Sequence, residues 1–135
     1  MRRAVLDPGV LVSALIAPSG RPAKLLERAR AGEFELVASP QLFAELEDVL
    51  RRDKFRPYAS AETVELFLEL VRSEATVVPD PGEPAPLNSS DADDDYLLAL
   101  AYAQKAILVS GDSHLLDLTG GAPICAPADF LRLES

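Results

Sequence analysis

Apolar residues along this chain fall into two patterns: short unbroken runs, and runs spaced three and four apart. The unbroken runs Arg3–Leu6, Glu35–Ala38, Ala75–Val78, Ile107–Val109 and Pro123–Cys125 predict five buried strands. Between them the period lengthens and predicts helices. Val10–Ile16 follows the break Asp7-Pro8-Gly9, and Pro22–Ala31 ends on Gly32 as its stop. Ser39-Pro40 opens a third helix, serine as N-cap and proline at the first helical position. Its residues Leu42, Phe43, Leu46, Val49 and Leu50 give it one apolar face. Ser60 caps a helix over Ala61–Ser73, Pro79–Pro86 is loop, and Asp91–Gln104, Ser113–Leu118 and Pro127–Leu133 are further helices.

This alternation implies an α/β fold of three layers, a mostly parallel sheet of about five short strands with helices on both faces. Right-handed crossovers bring the carboxyl ends of the strands to one edge, where open α/β sheets carry their sites. At 135 residues the chain is expected to form one domain over residues 1–135.

Composition narrows the classes. No apolar run approaches the roughly 20 residues of a membrane span, and Asp7 interrupts the N-terminus too early for a signal peptide. The single Cys125 excludes an internal disulfide and a cysteine-rich zinc site. A cytoplasmic protein is the expectation. The formal charge of −9 argues against a broad basic nucleic-acid face. It leaves a metal nuclease open, because acids gathered in one pocket are offset by the cations they bind.

The acids are placed for that chemistry. Asp7 ends the first strand, Asp112 lies three residues past Val109, and Asp91, Asp93, Asp94 and Asp95 crowd the first turn of one helix. Glu45 borders the apolar face of the helix after the second strand. Carboxylates brought together from separate segments repel unless a cation joins them, and Mg²⁺ or Mn²⁺ prefers such oxygen ligands. Two such ions can activate water and stabilise a leaving oxygen in phosphodiester cleavage. No serine, histidine or cysteine arrangement offers a rival nucleophile. Taken singly, Glu45 also reads as a solvated helix residue and Asp91 as an N-cap. The only dense basic cluster is Arg51, Arg52, Lys54 and Arg56, with Phe55 inside it. It reads either as an RNA or antitoxin contact or as a solvated helix end.

These residues resemble the PIN-domain family, and within it the VapC-like ribonuclease toxins, over almost the whole chain. Val5–Leu15 is similar to the family's opening strand and turn, Phe34–Leu50 to its second block, Asp91–Ala101 to its third and Leu108–Asp112 to its fourth. The resemblance implies Asp7, Glu45, Asp94 and Asp112 as catalytic metal ligands for Mg²⁺ or Mn²⁺, with Asp91 at the edge of the metal site. Asp94 is preferred because the family's third acid stands about 18 positions before the fourth. Ser110, Asp95 and Ser13 are expected in support. An RNA substrate, a cognate antitoxin and a homodimer follow from the same resemblance.

The chain departs from the family where Asp-Thr-Asn becomes Asp7-Pro8-Gly9, which removes a side chain expected to orient Asp7. An inactive PIN-fold module that binds RNA or protein is therefore the alternative. A phosphorylated-aspartate domain fits less well, since positions 8 and 9 carry no second acid and Lys105 precedes its strand.

Overall fold

The computed structural model describes residues 1–84, 95–116 and 123–134. Five strands, β1 (Arg3–Leu6), β2 (Glu35–Ala38), β3 (Thr76–Val77), β4 (Ile107–Val109) and β5 (Ile124–Cys125), form one sheet in the order β3-β2-β1-β4-β5. Every pairing is parallel. β1 is central because Ala4, Val5 and Leu6 can be buried on both faces, as helices on both sides of a parallel sheet require. β3 takes an edge, where both of its residues are exposed. Its two-residue length leaves little free ladder for another chain to pair with.

The helices are α1 (Pro8–Ile16), α2 (Arg21–Arg30), α3 (Pro40–Leu50), α4 (Ala61–Glu74), α5 (Asp95–Gln104), α6 (Ser113–Leu116) and α7 (Pro127–Glu134). The first differs from expectation. Asp7-Pro8-Gly9 does not break the chain between strand and helix; it starts the helix. Proline loses nothing at N1, where its missing N–H has no intrahelical partner, and Asp7 accepts from Gly9 N–H as the N-cap. Ser39 caps α3 as its sequence predicts, with Leu42 N–H donating to Oγ.

Two helices end in the same C-terminal motif with different residues. After α2, Gly32 at φ +79 lets Glu33 N–H reach Arg28 O and its own N–H reach Ala29 O. After α5, Lys105 adopts φ 52 and the matching bonds run from Ala106 to Ala101 and from Lys105 to Tyr102. Arg3 ties that end of α5 to the sheet. Its guanidinium donates to Glu35 Oε1 at 3.0 Å and to the Gln104 carbonyl at 2.6 Å.

The core runs through the sheet from Leu11 and Leu25 to Leu46, Leu68, Leu98 and Phe130. Phe34 and Phe130 meet edge to face with centroids 4.9 Å apart, which fixes α7 against the start of β2.

Candidate active site

The carboxyl edge of β1 and β4 places two acids together. Asp7 N–H donates to Val109 O at 3.0 Å, so the residue after β1 stays in register with the end of β4. Ser110, fully buried, then donates from Oγ to Asp7 Oδ2 at 2.7 Å and accepts from Asp112 N–H at 3.0 Å. Gly9 N–H donates to Asp7 Oδ1 at 2.9 Å. The hydroxyl has one proton and gives it to the carboxylate, while the amide of Asp112 fills its lone pair. Asp7 is thus held from both oxygens. The orienting role expected of a side chain at position 9 falls to the backbone N–H of Gly9.

Asp7 is buried, and burial pushes its carboxyl above the ordinary aspartate value. The hydrogen bonds from Ser110 and Gly9 oppose the rise, and the nearby charge of Asp112 adds to it. A buried acid that faces a second acid favours a cation between them.

Asp7 and Asp112 open on a cavity of about 360 Å³, lined also by Gly9, Val10, Ser13, Pro22, Gly111 and Pro127. Pro22 and Pro127, the walls contributed by the first turns of α2 and α7, were not foreseen. Proline at a helix start reads in sequence only as a cap signal. The donors facing the cavity are oxygens, the class that Mg²⁺ and Mn²⁺ take. Among the described residues no group of three His, Cys, Asp or Glu side chains comes together. Asp91 and Asp94 lie outside the described residues.

Glu45 is half-buried on α3 and accepts a 2.9 Å hydrogen bond from the Tyr96 hydroxyl. Tyr96 belongs to the first turn of α5, next to half-exposed Asp95, so this bond ties Glu45 to the acidic start of that helix. Tyr96 escaped the sequence reading because a tyrosine among leucines and alanines looks like core.

The basic cluster sits elsewhere. Arg51 pairs with Glu47 at 2.8 Å and Glu65 at 2.6 Å, and Arg52 pairs with Asp48 at 3.1 Å. Lys54 lies 5.1 Å from the centroid of the Phe55 ring, and Arg56 donates to Leu50 O at the end of α3. These residues occupy the turn between α3 and α4, one α3 length, about 16 Å, from the start of that helix.

Comparison with known proteins accounts for this architecture. The profile of the PIN domain matches residues 3–114. The chain belongs to the PIN-domain family. PIN domains are typically nucleases, and such nucleases generally use divalent metal ions. The chain is 30% identical over 116 residues to the uncharacterized protein MJ1680 of Methanocaldococcus jannaschii, a match spanning 86% of this chain and 74% of that one.

Two solved structures share the PIN fold. VapBC2 from Rickettsia felis, crystallised with a DNA fragment from its promoter, superposes with a TM-score of 0.65 at 14% identity, covering 92% of this chain and 98% of the other. PAE2754 from Pyrobaculum aerophilum gives 0.64 at 17% identity, covering 99% and 89%. Among the described residues no helix of this PIN domain is long and apolar enough to cross a membrane.

Proposed function

We propose that this PIN domain is an Mg²⁺- or Mn²⁺-dependent endoribonuclease, the toxin of a toxin–antitoxin pair. The observation that carries the reading is the shared cavity of Asp7 and Asp112, acids from neighbouring strand ends, with Ser110 Oγ bonded to the carboxylate of the first and the backbone N–H of the second. A divalent cation, when bound, supplies charge neutralisation at the phosphodiester and an activated water. The chain's own residues would hold and aim it. Asp7 and Asp112 face the cavity, Ser110 and Gly9 fix the Asp7 rotamer, and Tyr96 steadies Glu45. In this reading Asp94 and Asp91 complete the ligand set, with Asp95 beside them and Ser13 on the cavity wall.

The antitoxin part of the reading has separate support. An apolar groove of about 260 Å³ between α1, α2 and α4, walled by Leu15, Leu26, Phe67 and Leu70, suits the apolar side chains of a partner segment. The inactive binding-module alternative rested on the altered turn at residues 8 and 9. The Gly9 N–H bond to Asp7 weakens that ground.

The test is cleavage of a single-stranded RNA with Mn²⁺, with and without EDTA, by the wild type and by Asp7→Asn. Cleavage that survives EDTA, or survives Asp7→Asn, rules the mechanism out. Inhibition by the product of a neighbouring gene tests the antitoxin.

A further inference from the structure

Helix α2 carries a line of cations that the proposed site does not use. Arg21, Lys24 and Arg28 stand at i, i+3 and i+7, while Ala23, Leu25, Leu26 and Ala29 are buried. That spacing puts the three on one face over about 10 Å of helix. Arg21 and Lys24 are exposed and Arg28 is half-exposed. Among the described residues none of the three takes part in an ion pair. Acidic residues outnumber Lys and Arg by 22 to 13 in the chain, yet among the described residues none forms an ion pair with this face. The remaining charged residues of α2, Glu27 and Arg30, line the apolar groove beside α4 instead.

Helix stability does not account for the stripe. Arg28 in the last turn suits the helix dipole, but Arg21 occupies the first helical position, where a cation is disfavoured. Arg21 lines a cavity of about 310 Å³ with Pro22, Ala126, Pro127 and Ala128. Pro22 and Pro127 also wall the cavity of Asp7 and Asp112, so the two hollows adjoin across the prolines.

We infer that the Arg21–Lys24–Arg28 face is the track for the phosphate backbone of single-stranded RNA, leading the strand over Pro22 and Pro127 to the carboxylates. The direction of travel rests on the ribonuclease reading; the binding itself does not. Phosphate contacts of this kind position a strand without reading its sequence, and each makes affinity salt-dependent.

The experiment measures binding of a labelled 12-nucleotide oligouridylate by fluorescence anisotropy in EDTA, where no metal-dependent cleavage occurs, between 50 and 200 mM KCl. Removing three phosphate contacts with Arg21→Gln, Lys24→Gln and Arg28→Gln together should flatten the slope of log Kd against log salt by about 2. Across that range the wild type should then weaken about 20-fold more than the variant. Arg21→Gln alone should flatten the slope by about 0.7, which keeps the test valid if the triple variant folds poorly. Arg51→Gln with Arg52→Gln should leave it unchanged.

An unchanged slope in the triple variant, an equal loss in the Arg51 and Arg52 control, or no RNA binding by the wild type overturns the inference. So does loss of a protein partner with RNA binding intact. A wild type that binds RNA through this face but does not cleave it with Mn²⁺ removes the nuclease reading and leaves the track standing.

Discussion

Ser110 and Asp7, 103 positions apart in sequence, are joined by a 2.7 Å hydrogen bond from the buried hydroxyl to Oδ2. Ser110 Oγ in turn accepts from Asp112 N–H, so one hydroxyl holds the Asp7 carboxylate and the Asp112 backbone. Ser110→Ala strands the Asp112 amide and removes a donor from a buried carboxylate. It should cost about 1–3 kcal/mol of stability and about 10–100-fold in metal affinity or activity. Ser110→Thr, which keeps the hydroxyl, should recover much of the metal affinity. Chemical denaturation and Mn²⁺ titration check the two halves. Full Mn²⁺ affinity in Ser110→Ala would remove the hydroxyl from the site.

Asp7→Asn should abolish cleavage and stabilise the metal-free fold at neutral pH. The folded-state pKa of Asp7 lies above its usual value near 3.8. Its contribution to stability is therefore present in full below that value and is lost as pH rises through the folded pKa. The advantage of Asp7→Asn over wild type should be largest at neutral pH and shrink as pH falls toward the usual value. Melting curves in EDTA between pH 4 and 7.5 read this directly; a pH-independent difference would refute it.

Added Mn²⁺ should reverse that order. A cation that binds only the folded state raises stability by about 2.7 kcal/mol at 100 times its Kd. The melting temperature of wild type should climb with Mn²⁺ concentration, and that of Asp7→Asn should climb far less. A wild-type melting temperature indifferent to millimolar Mn²⁺ would count against the metal site.

Gly9→Asn should be tolerated. A Cβ at position 9 would meet Asp7 Oδ1 at 3.6 Å, an ordinary contact, and the backbone N–H that holds Oδ1 is retained. Activity should be equal to wild type or higher. A fall of more than about tenfold, or 1.4 kcal/mol on the barrier, would show that the bare turn is needed.

The two left-handed caps give an opposed pair. Lys105→Gly relieves a side chain held at φ 52, whereas Gly32→Ala forces one into φ 79, with no steric neighbour at either extreme of the swap at Gly32. Lys105→Gly should stabilise by about 0.5–1 kcal/mol and Gly32→Ala should destabilise by about 1 kcal/mol. Urea midpoints moving in the same direction would contradict the assignment.

The strands over 3–6, 35–38 and 107–109 were legible to the residue because each holds three consecutive apolar residues closed by a turn or cap. The strand over 75–78 shortens to two residues because Thr76 and Val77 pair on one side only and stay exposed. The start of α1 was hidden by reading proline as a breaker, a penalty that vanishes at N1. Asp7 and Asp112 were legible as strand-end acids, whereas the Tyr96–Glu45 bond joins helices 51 positions apart and leaves no local pattern. The pairs Arg51–Glu47 and Arg52–Asp48 have i,i+4 spacing and could have been seen in the sequence. The Arg51–Glu65 contact depends on how α3 packs on α4.

The central place of β1 also sets when the site can exist. Its neighbours on either side begin at residues 35 and 107, so the first strand made is among the last to be completed. Asp7 leaves the ribosome long before Asp112; at about 5–20 residues per second the interval is about 5–20 s. On the ribonuclease function proposed above, this timing would keep a copy that lacks Asp112 unarmed. On that reading the messenger being translated would be out of reach of its own product until Asp112 has been made.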